Sequence, residues 1–331
     1  MLNRSDLRDM LSYKRPARSK SEEQFIKKYI DVIPDVFEDN YGNRILYRPD
    51  SKIMISCHTD TVHREPGRQY VEYTNGIAHL PKNTKSNCLG ADDTAGIYTA
   101  IRMIQAGVQA TFVFHRDEEI GGRGSSWLAD NYPEWLAKFD ICLALDRRGK
   151  FDIITSQIGG KCASKEFAAS LALALDMGHE ATDGIFTDSA NYTHLIQECS
   201  NISIGYQNEH SSRETLDLDY LDAVADRLLT VDWTSLTVSR ETWDVVDDSI
   251  MSYSWYRPRE RSLNVMTLDD DWYDYGKCEY CYVEERLTFY EGSMLCAHCH
   301  NFFTYDDIIV DLEDDDDEGE DSPPLNMKAV Y

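Results

Sequence analysis

The sequence predicts an α/β domain, in which a mainly parallel mixed sheet is sandwiched by helices, followed by a small cysteine-containing module. Two observations predict the domain: short apolar runs alternate with segments of helical period, and the runs stop abruptly at polar residues. Such alternation is typical of parallel strands joined by helical crossovers. One observation predicts the module, which is the presence of two Cys-x-x-Cys pairs between residues 278 and 299.

The elements of the predicted domain follow in order. Residues 1–20 are polar and basic, which predicts an N-terminal arm or a short surface helix. Ser21 begins the order Ser-Glu-Glu-Gln, a capping box that predicts the start of a helix. Apolar runs predict buried strands over 53–57, 111–115, 141–145 and 202–206. Periodic apolar positions predict helices over 94–105, near Trp127, around 189–197 and over 218–231, so the domain spans 21–240.

The rest of the chain divides into three segments. Residues 241–275 are crowded with Trp, Tyr, Asp and Arg without a clear period, and we interpret them as a linker or extension. Residues 276–304 hold the paired cysteines. Residues 305–331 form an acidic tail, with eleven acidic residues and no basic one from Asp306 to Asp321, and we expect this tail to be disordered.

Composition limits the classes of partner. The 331 residues carry a formal net charge of -26, which argues against general affinity for nucleic acid or anionic membrane, because phosphate binding needs a basic surface. No apolar run reaches the roughly 18 to 20 residues that cross a bilayer, and the first residues lack the pattern of a signal peptide. We therefore expect a soluble, cytoplasmic protein.

Histidines and carboxylates follow the predicted strands. His58 and Asp60 end the first strand, Glu118 and Glu119 follow the second, Asp146 follows the third, and His210 follows the fourth; Asp92 and Asp93 precede the helix over 94–105. The carboxyl ends of parallel strands meet at one edge of a sheet, so these side chains should converge. Nitrogen and oxygen ligands of this kind suit zinc, with cobalt or manganese as substitutes.

These residues stand in five short motifs, HTD, GADDTAG, DEEIGGRGS, LDR and NEHSSRET, in that order. Together they resemble the co-catalytic di-zinc exopeptidases, the group that includes zinc aminopeptidases, tripeptidase T and the acetylornithine deacetylase-type amidohydrolases. The resemblance covers roughly residues 22–232. It implies a hydrolase that cleaves a peptide or amide bond with a metal-activated water.

The resemblance also implies a role for each residue of the site. Asp92 would bridge two zinc ions, His58 and Asp146 would complete one zinc site, and Glu119 and His210 the other. Asp60 would hold the His58 ring and Glu118 would be the general base. A cis peptide bond would follow Asp92.

The branch of the family and the substrate are separate questions. Asp146 and His210 are only 64 positions apart, which leaves room for two strands and a helix but not for the lid domain of the deacetylase branch. We therefore expect an aminopeptidase-like exopeptidase acting on short peptides. Two alternatives stay open: an N-acyl amino acid deacylase, and a non-catalytic protein that binds a protein partner through its cysteine module and acidic tail. Asp188 could bind a substrate amine or cap the next helix, and we favour the cap.

The paired cysteines predict a third metal site. Cys278, Cys281, Cys296 and Cys299 form two pairs separated by fourteen residues, which lets both pairs close on one tetrahedral zinc with a hairpin between them. The segment resembles a zinc ribbon, and four thiolates would leave no open coordination position, so this zinc would be structural. The other five cysteines are isolated in apolar contexts, which predicts core packing rather than disulfides.

Overall fold

The computed structural model describes residues 2–157 and 160–243, and the backbone of three strands between 273 and 296. Within the first two ranges the chain forms the following helices: α1 (Arg4–Leu11), α2 (Lys20–Tyr29), α3 (Ala91–Gln105), α4 (Arg123–Asn131), α5 (Pro133–Leu136), α6 (Lys165–Leu175) and α7 (Leu218–Leu228). Two short 3-10 helices, Asp188–Tyr192 and Trp233–Ser235, complete the helical elements of these ranges. No helix in the described residues is long and apolar enough to cross a membrane.

Fifteen strands occur in the same ranges: β1 (Tyr13–Lys14), β2 (Val36–Glu38), β3 (Arg44–Leu46), β4 (Ile53–His58), β5 (Gly67–Arg68), β6 (Glu72–Thr74), β7 (Ile77–His79), β8 (Thr111–His115), β9 (Ile141–Arg147), β10 (Asp152–Gln157), β11 (Gly160–Lys161), β12 (Glu180–Asp183), β13 (Glu198–Ser203), β14 (Tyr206–Gln207) and β15 (Thr215–Asp217). The central sheet has the order β11-β10-β13-β9-β4-β8-β3-β2, with β12 beside β10.

The centre of this sheet is parallel and its margins are mixed. Strands β13, β9, β4 and β8 pair in parallel, whereas β2, β3 and β11 pair antiparallel to their neighbours. Every residue of β4 is buried, as the continuous apolar run predicts for a strand covered on both faces. Helix α3 packs against β4 and β9 and also contacts α1 and α7. The predicted fold class, a mainly parallel mixed sheet flanked by helices without a lid domain, is confirmed for the described residues.

A second, antiparallel sheet has the order β14-β15-β7-β6. It joins the hairpin that contains residues 72–79 to the strands on either side of residues 208–214. The loop that carries His210 is therefore fixed at both ends by strands of this sheet.

Four features differ from the predictions. The segment predicted as an arm or a short surface helix does contain a helix, α1, but its Leu7, Met10 and Leu11 recur at helical spacing and are buried in the core. The cap of α2 is Ser19, whose side chain accepts from the N–H of Glu22, and not Ser21. The helix predicted around 189–197 is only the 3-10 helix Asp188–Tyr192, and the following strand is Glu198–Ser203 rather than 202–206.

The second unit of the chain contains a three-stranded antiparallel sheet, β16 (Tyr273–Lys277), β17 (Glu284–Tyr290) and β18 (Ser293–Cys296). Its last two strands form the hairpin predicted between the cysteine pairs. Cys296 is the last residue of β18, and only its backbone is described; Cys278, Cys281 and Cys299 lie outside the described residues, as does the acidic tail. In the first unit the five isolated cysteines are buried and free of disulfides, as predicted.

Candidate metal centre

His58 ends β4 at the carboxyl edge of the central sheet. The register pairs Ser56 with Ala144 on β9, so His58 and Asp146 lie level at the ends of neighbouring parallel strands. The His58 side chain is buried, and its Nε2 lies 3.0 Å from Asp92 Oδ1 and 3.6 Å from Asp146 Oδ1. Two carboxylates, one from the first turn of α3 and one from the end of β9, therefore face one imidazole nitrogen.

Asp92 lies where α3 departs from regular helix geometry. Gly90 precedes the helix with a left-handed φ of 72°, and Asp92 and Asp93 have non-helical backbone angles. The peptide bond between Asp92 and Asp93 is cis, as the family resemblance implies. The second oxygen of Asp92, Oδ2, lies 3.2 Å from His210 Nε2, so the two oxygens of this carboxylate face two different histidines.

The loop after β8 contributes the two adjacent glutamates. The backbone N–H of Glu118 donates to Asp60 Oδ1 and that of Glu119 donates to Asp60 Oδ2, both at 3.1 Å. Glu119 Oε2 lies 3.1 Å from His210 Nε2, and Glu118 Oε2 lies 3.9 Å from His58 Nε2. Asp60 Oδ1 is 3.6 Å from His58 Nδ1, which is longer than a hydrogen bond. Asp60 thus accepts hydrogen bonds from the backbone of the Glu118 loop and does not accept one from the His58 ring.

Asp146 is held by hydroxyl groups. Thr187 donates to its Oδ2 at 2.7 Å and Tyr206 donates to its Oδ1 at 2.9 Å. Its backbone N–H donates to the Asn201 side chain at 2.9 Å. These contacts fix the direction in which the Asp146 carboxylate points, which is toward His58.

Side-chain atoms in this region converge in three groups, each with all its ligand atoms within 4.8 Å of one another. The groups are His58 with Asp92 and Asp146; Asp92 with Glu119 and His210; and His58 with Glu118 and Glu119. The first two share Asp92 and match the two sites that the resemblance implies. The third shows that distance alone leaves Glu118 available either as a ligand or as a base.

The donor set fits divalent cations. His58 Nδ1 and Glu119 Oε1 are buried and have no hydrogen-bond partner among the described residues. Buried polar atoms normally have partners, so an unpaired carboxylate oxygen in a cluster of imidazoles and carboxylates indicates a place for a cation. Nitrogen and oxygen donors of this kind suit zinc, and cobalt or manganese are compatible with the same set.

The electrostatics of the cluster lead to the same conclusion. Burial, reinforced by the charge of Asp92, raises the pKa of Asp146 to about 7. Burial also raises the pKa of Glu118 well above its usual range, although the charge of His58 opposes this. Burial alone lowers the pKa of His58, but the charges of Asp146 and Glu118 outweigh burial, and the pKa is raised. Several carboxylates thus lie close together in a buried site, and bound divalent cations would offset the repulsion between their negative charges.

Glu214 has no role among the sequence predictions, and the helix cap predicted for Asp188 is wrong. Glu214 is buried and accepts from four backbone N–H groups of residues 89–92; the signal available was its position four residues after His210 in the motif NEHSSRET. Asp188 neither caps the 3-10 helix nor reaches the surface. It is buried, with Oδ2 3.2 Å from His115 Nδ1 and Oδ1 accepting from the Ser125 hydroxyl.

Solved structures share this fold. The aminopeptidase PepT from Bacillus cereus has 14% identity, with 68% of this chain and 96% of that chain covered and a TM-score of 0.56. A tripeptidase from Staphylococcus aureus has 13% identity, with 70% and 98% covered and a TM-score of 0.56. The TET1 peptidase of Pyrococcus horikoshii, which can assemble into a tetrahedron or an octahedral shell, has 17% identity, with 69% and 98% covered and a TM-score of 0.51. No protein-family model matches the sequence, and no curated protein matches it.

Proposed function

We propose that the chain is a zinc-dependent hydrolase that cleaves a peptide or amide bond, and that it acts as an aminopeptidase-like exopeptidase on short peptides. The observation that carries this proposal is the Asp92 carboxylate, whose two oxygens face His58 and His210 in two adjacent groups of candidate ligands. A carboxylate shared between two ligand groups would hold two ions close together, as two-metal hydrolysis needs. The proposed ligands are His58, Asp92 and Asp146 for one ion, and Asp92, Glu119 and His210 for the other.

The fold supports the same reaction class. Proteins described as an aminopeptidase and as a tripeptidase share it. In this chain, the segment between Asp146 and His210 contains only strands, α6 and a 3-10 helix among its described residues. We infer that the site opens directly to solvent, without a lid, and that it takes small substrates from a chain terminus.

Each residue contributes a distinct part of the chemistry. When bound, two zinc ions would activate a water molecule and polarise the substrate carbonyl. Glu118 would accept a proton from the attacking water and deliver it to the leaving nitrogen, because its carboxylate lies beside the ligand cluster, 3.9 Å from His58 Nε2, without being needed in either proposed ligand group. Asp60 fixes the backbone of Glu118 and Glu119, so the base stays beside the ligand.

We also propose that Cys278, Cys281, Cys296 and Cys299 bind one structural zinc. The hairpin of β17 and β18 supports this, because it lies between the two pairs and ends at Cys296. Four thiolates would close the coordination sphere, so this ion would stabilise the module and take no part in hydrolysis. The module and the acidic tail would then be available to a protein partner.

Metal content and substrate choice together test the function. We expect about three zinc ions per full-length chain, counting two at the Asp92 cluster and one at the cysteines. Chelation should abolish hydrolysis and added zinc should restore it. The substrates are short peptides with a free amino terminus, their N-acetylated counterparts, and N-acyl amino acids.

The substrate comparison separates the alternatives. Cleavage that requires a free amino terminus supports the exopeptidase. Cleavage of N-acyl amino acids alone would replace it with the deacylase, which uses the same metals. A chain that binds only the cysteine zinc and cleaves none of these substrates would overturn both enzymatic hypotheses and leave the interaction protein.

A further inference from the structure

We propose that Glu214 is a positioning residue that sets the separation of two candidate metal ligands, Asp92 and His210. The proposal rests on the two-metal function proposed above and deepens it. Glu214 belongs to neither ligand group, so it would act only through the backbone that carries the ligands.

The Glu214 carboxylate accepts hydrogen bonds from four consecutive backbone N–H groups. Its Oε2 accepts from Leu89 at 2.8 Å and from Gly90 at 2.9 Å, and its Oε1 accepts from Ala91 at 2.7 Å and from Asp92 at 3.1 Å. The residue is only 1% exposed. A buried carboxylate is stable only when its oxygens are compensated, and here each oxygen accepts two donors.

Two of these N–H groups, those of Ala91 and Asp92, need an acceptor because they lie in the first turn of helix α3; those of Leu89 and Gly90 directly precede the helix. The first N–H groups of a helix have no partner within it, and the cap residue, Gly90, has no side chain to provide one. The Glu214 carboxylate is the acceptor, although Glu214 lies 122 positions after Asp92 in the sequence. The same contact therefore fixes the backbone immediately before the side chain of Asp92.

The other end of Glu214 fixes the His210 loop. Glu214 lies four residues after His210, donates its own N–H to the Ser211 carbonyl at 3.0 Å, and directly precedes β15. Apart from the contacts of His210 with Asp92 and Glu119, the other side-chain contacts given for this loop lie within it or at the surface, such as the ion pair of Glu209 with Arg148 at 2.8 Å. Glu214 is thus the buried side chain, among the described residues, that connects this loop to the Asp92 loop.

Glu214→Gln tests the role because the amide cannot replace the carboxylate. Whichever way the amide turns, its NH2 group meets two backbone N–H donors, so the two loops must move apart. We expect zinc affinity at the Asp92 cluster to fall by about 10- to 100-fold, the range for residues that orient metal ligands. Glu214→Asp keeps both oxygens on a shorter side chain and should give an intermediate affinity.

Glu198 offers a matched control. It is also fully buried, and its carboxylate accepts from the backbone N–H groups of Ser164, Ser239 and Arg240. It pairs in register with Ile141, at the opposite end of β9 from Asp146. Glu198→Gln should lower thermal stability and leave zinc affinity unchanged.

The measurement is calorimetric zinc titration of the full-length wild type, Glu214→Gln, Glu214→Asp and Glu198→Gln after chelation, with cobalt absorption spectra as a second readout of ligand geometry. Wild-type affinity and an unchanged cobalt spectrum in Glu214→Gln would overturn the positioning role, and so would an equal loss of affinity in Glu198→Gln. If Glu214→Gln does not fold, wild-type affinity in Glu214→Asp has the same meaning. A wild type that binds zinc only at its cysteines would instead overturn the proposed function.

Discussion

Replacing Glu118 with Gln separates a general base from a metal ligand. The substitution keeps the shape of the side chain and the backbone N–H that donates to Asp60, but it removes the ability to accept a proton. General acid–base catalysis contributes about 10²- to 10⁴-fold, so kcat should fall by that factor, equivalent to roughly 3 to 5 kcal/mol of transition-state stabilisation. KM should change little, because the ions and the rest of the site remain.

The structure also predicts that this variant folds and binds metal. Burial raises the pKa of Glu118 well above its usual range, which means that the ionised form is disfavoured beside Asp146 and Glu119. A neutral amide avoids the cost that the wild type bears for burying or protonating this carboxyl group. We therefore expect the metal-free variant to be at least as stable near neutral pH as the wild type, and its zinc content to equal that of the wild type.

Glu119→Gln is the adjacent control. Its Oε2 lies 3.1 Å from His210 Nε2 and its Oε1 has no hydrogen-bond partner in the described part of the chain, so this variant should lose both activity and one zinc ion. The assays are steady-state hydrolysis of the best substrate and elemental analysis of zinc. Activity of Glu118→Gln within about tenfold of the wild type would refute the base. Loss of zinc from Glu118→Gln as large as that from Glu119→Gln would instead identify Glu118 as a ligand.

Three further predictions concern the loop that Asp60 holds, the pH dependence of folding stability, and the proposed cysteine zinc site. Asp60→Asn presents an NH2 group to the N–H of Glu118 or of Glu119, and zinc titration should show about 10- to 100-fold weaker binding. Burial, reinforced by the charge of Asp60, raises the pKa of Glu22 to about 7 from the ordinary glutamate value of 4.5. The folded state therefore holds this proton more tightly, and urea unfolding of the metal-free protein should show stability falling as pH rises between these values, by up to about 1.4 kcal/mol per pH unit from this group. Cys278→Ser should weaken or remove one zinc ion in elemental analysis and leave kcat unchanged.

The sequence predicts the apolar strands of the sheet well and the polar ones poorly. Strands β4, β8 and β9 are buried parallel strands, and their continuous apolar runs are visible in the sequence. Strand β13 is equally buried but reads Glu-Cys-Ser-Asn-Ile-Ser. Its polar side chains are satisfied by distant partners, such as Ser200 donating to the Ile154 carbonyl at 2.7 Å. Those partners are not visible in a local pattern, so the sequence predicts the start of this strand four residues too late.

In the N-terminal segment, too, partners that are distant in the sequence determine the burial of a residue, here a charged one. Arg15 belongs to the basic stretch that predicts an exposed arm, yet its side chain is completely buried. Its Nε donates to the Thr59 carbonyl at 2.7 Å, its Nη1 donates to the Thr94 hydroxyl at 2.9 Å, and its guanidinium stacks on Phe25. A basic residue is normally exposed, so only the folded arrangement of these partners reveals that Arg15 supports the backbone next to His58.

Acidic residues near the candidate site differ in what their oxygens face, and this difference separates the proposed ligands from their supports. The oxygens of Asp60, Asp93 and Glu214 accept backbone N–H groups. The carboxylates of Asp92, Asp146 and Glu119 instead face imidazole nitrogens. A carboxylate whose oxygens accept N–H groups has fewer lone pairs left for a cation. A carboxylate that faces an imidazole nitrogen can direct a lone pair at the same cation as that nitrogen. The sequence predicts Asp60, Asp92, Asp93, Glu119 and Asp146 at the ends of strands or helices but gives no role to Glu214, and the direction of the oxygens is what divides the six acids into proposed ligands and supports.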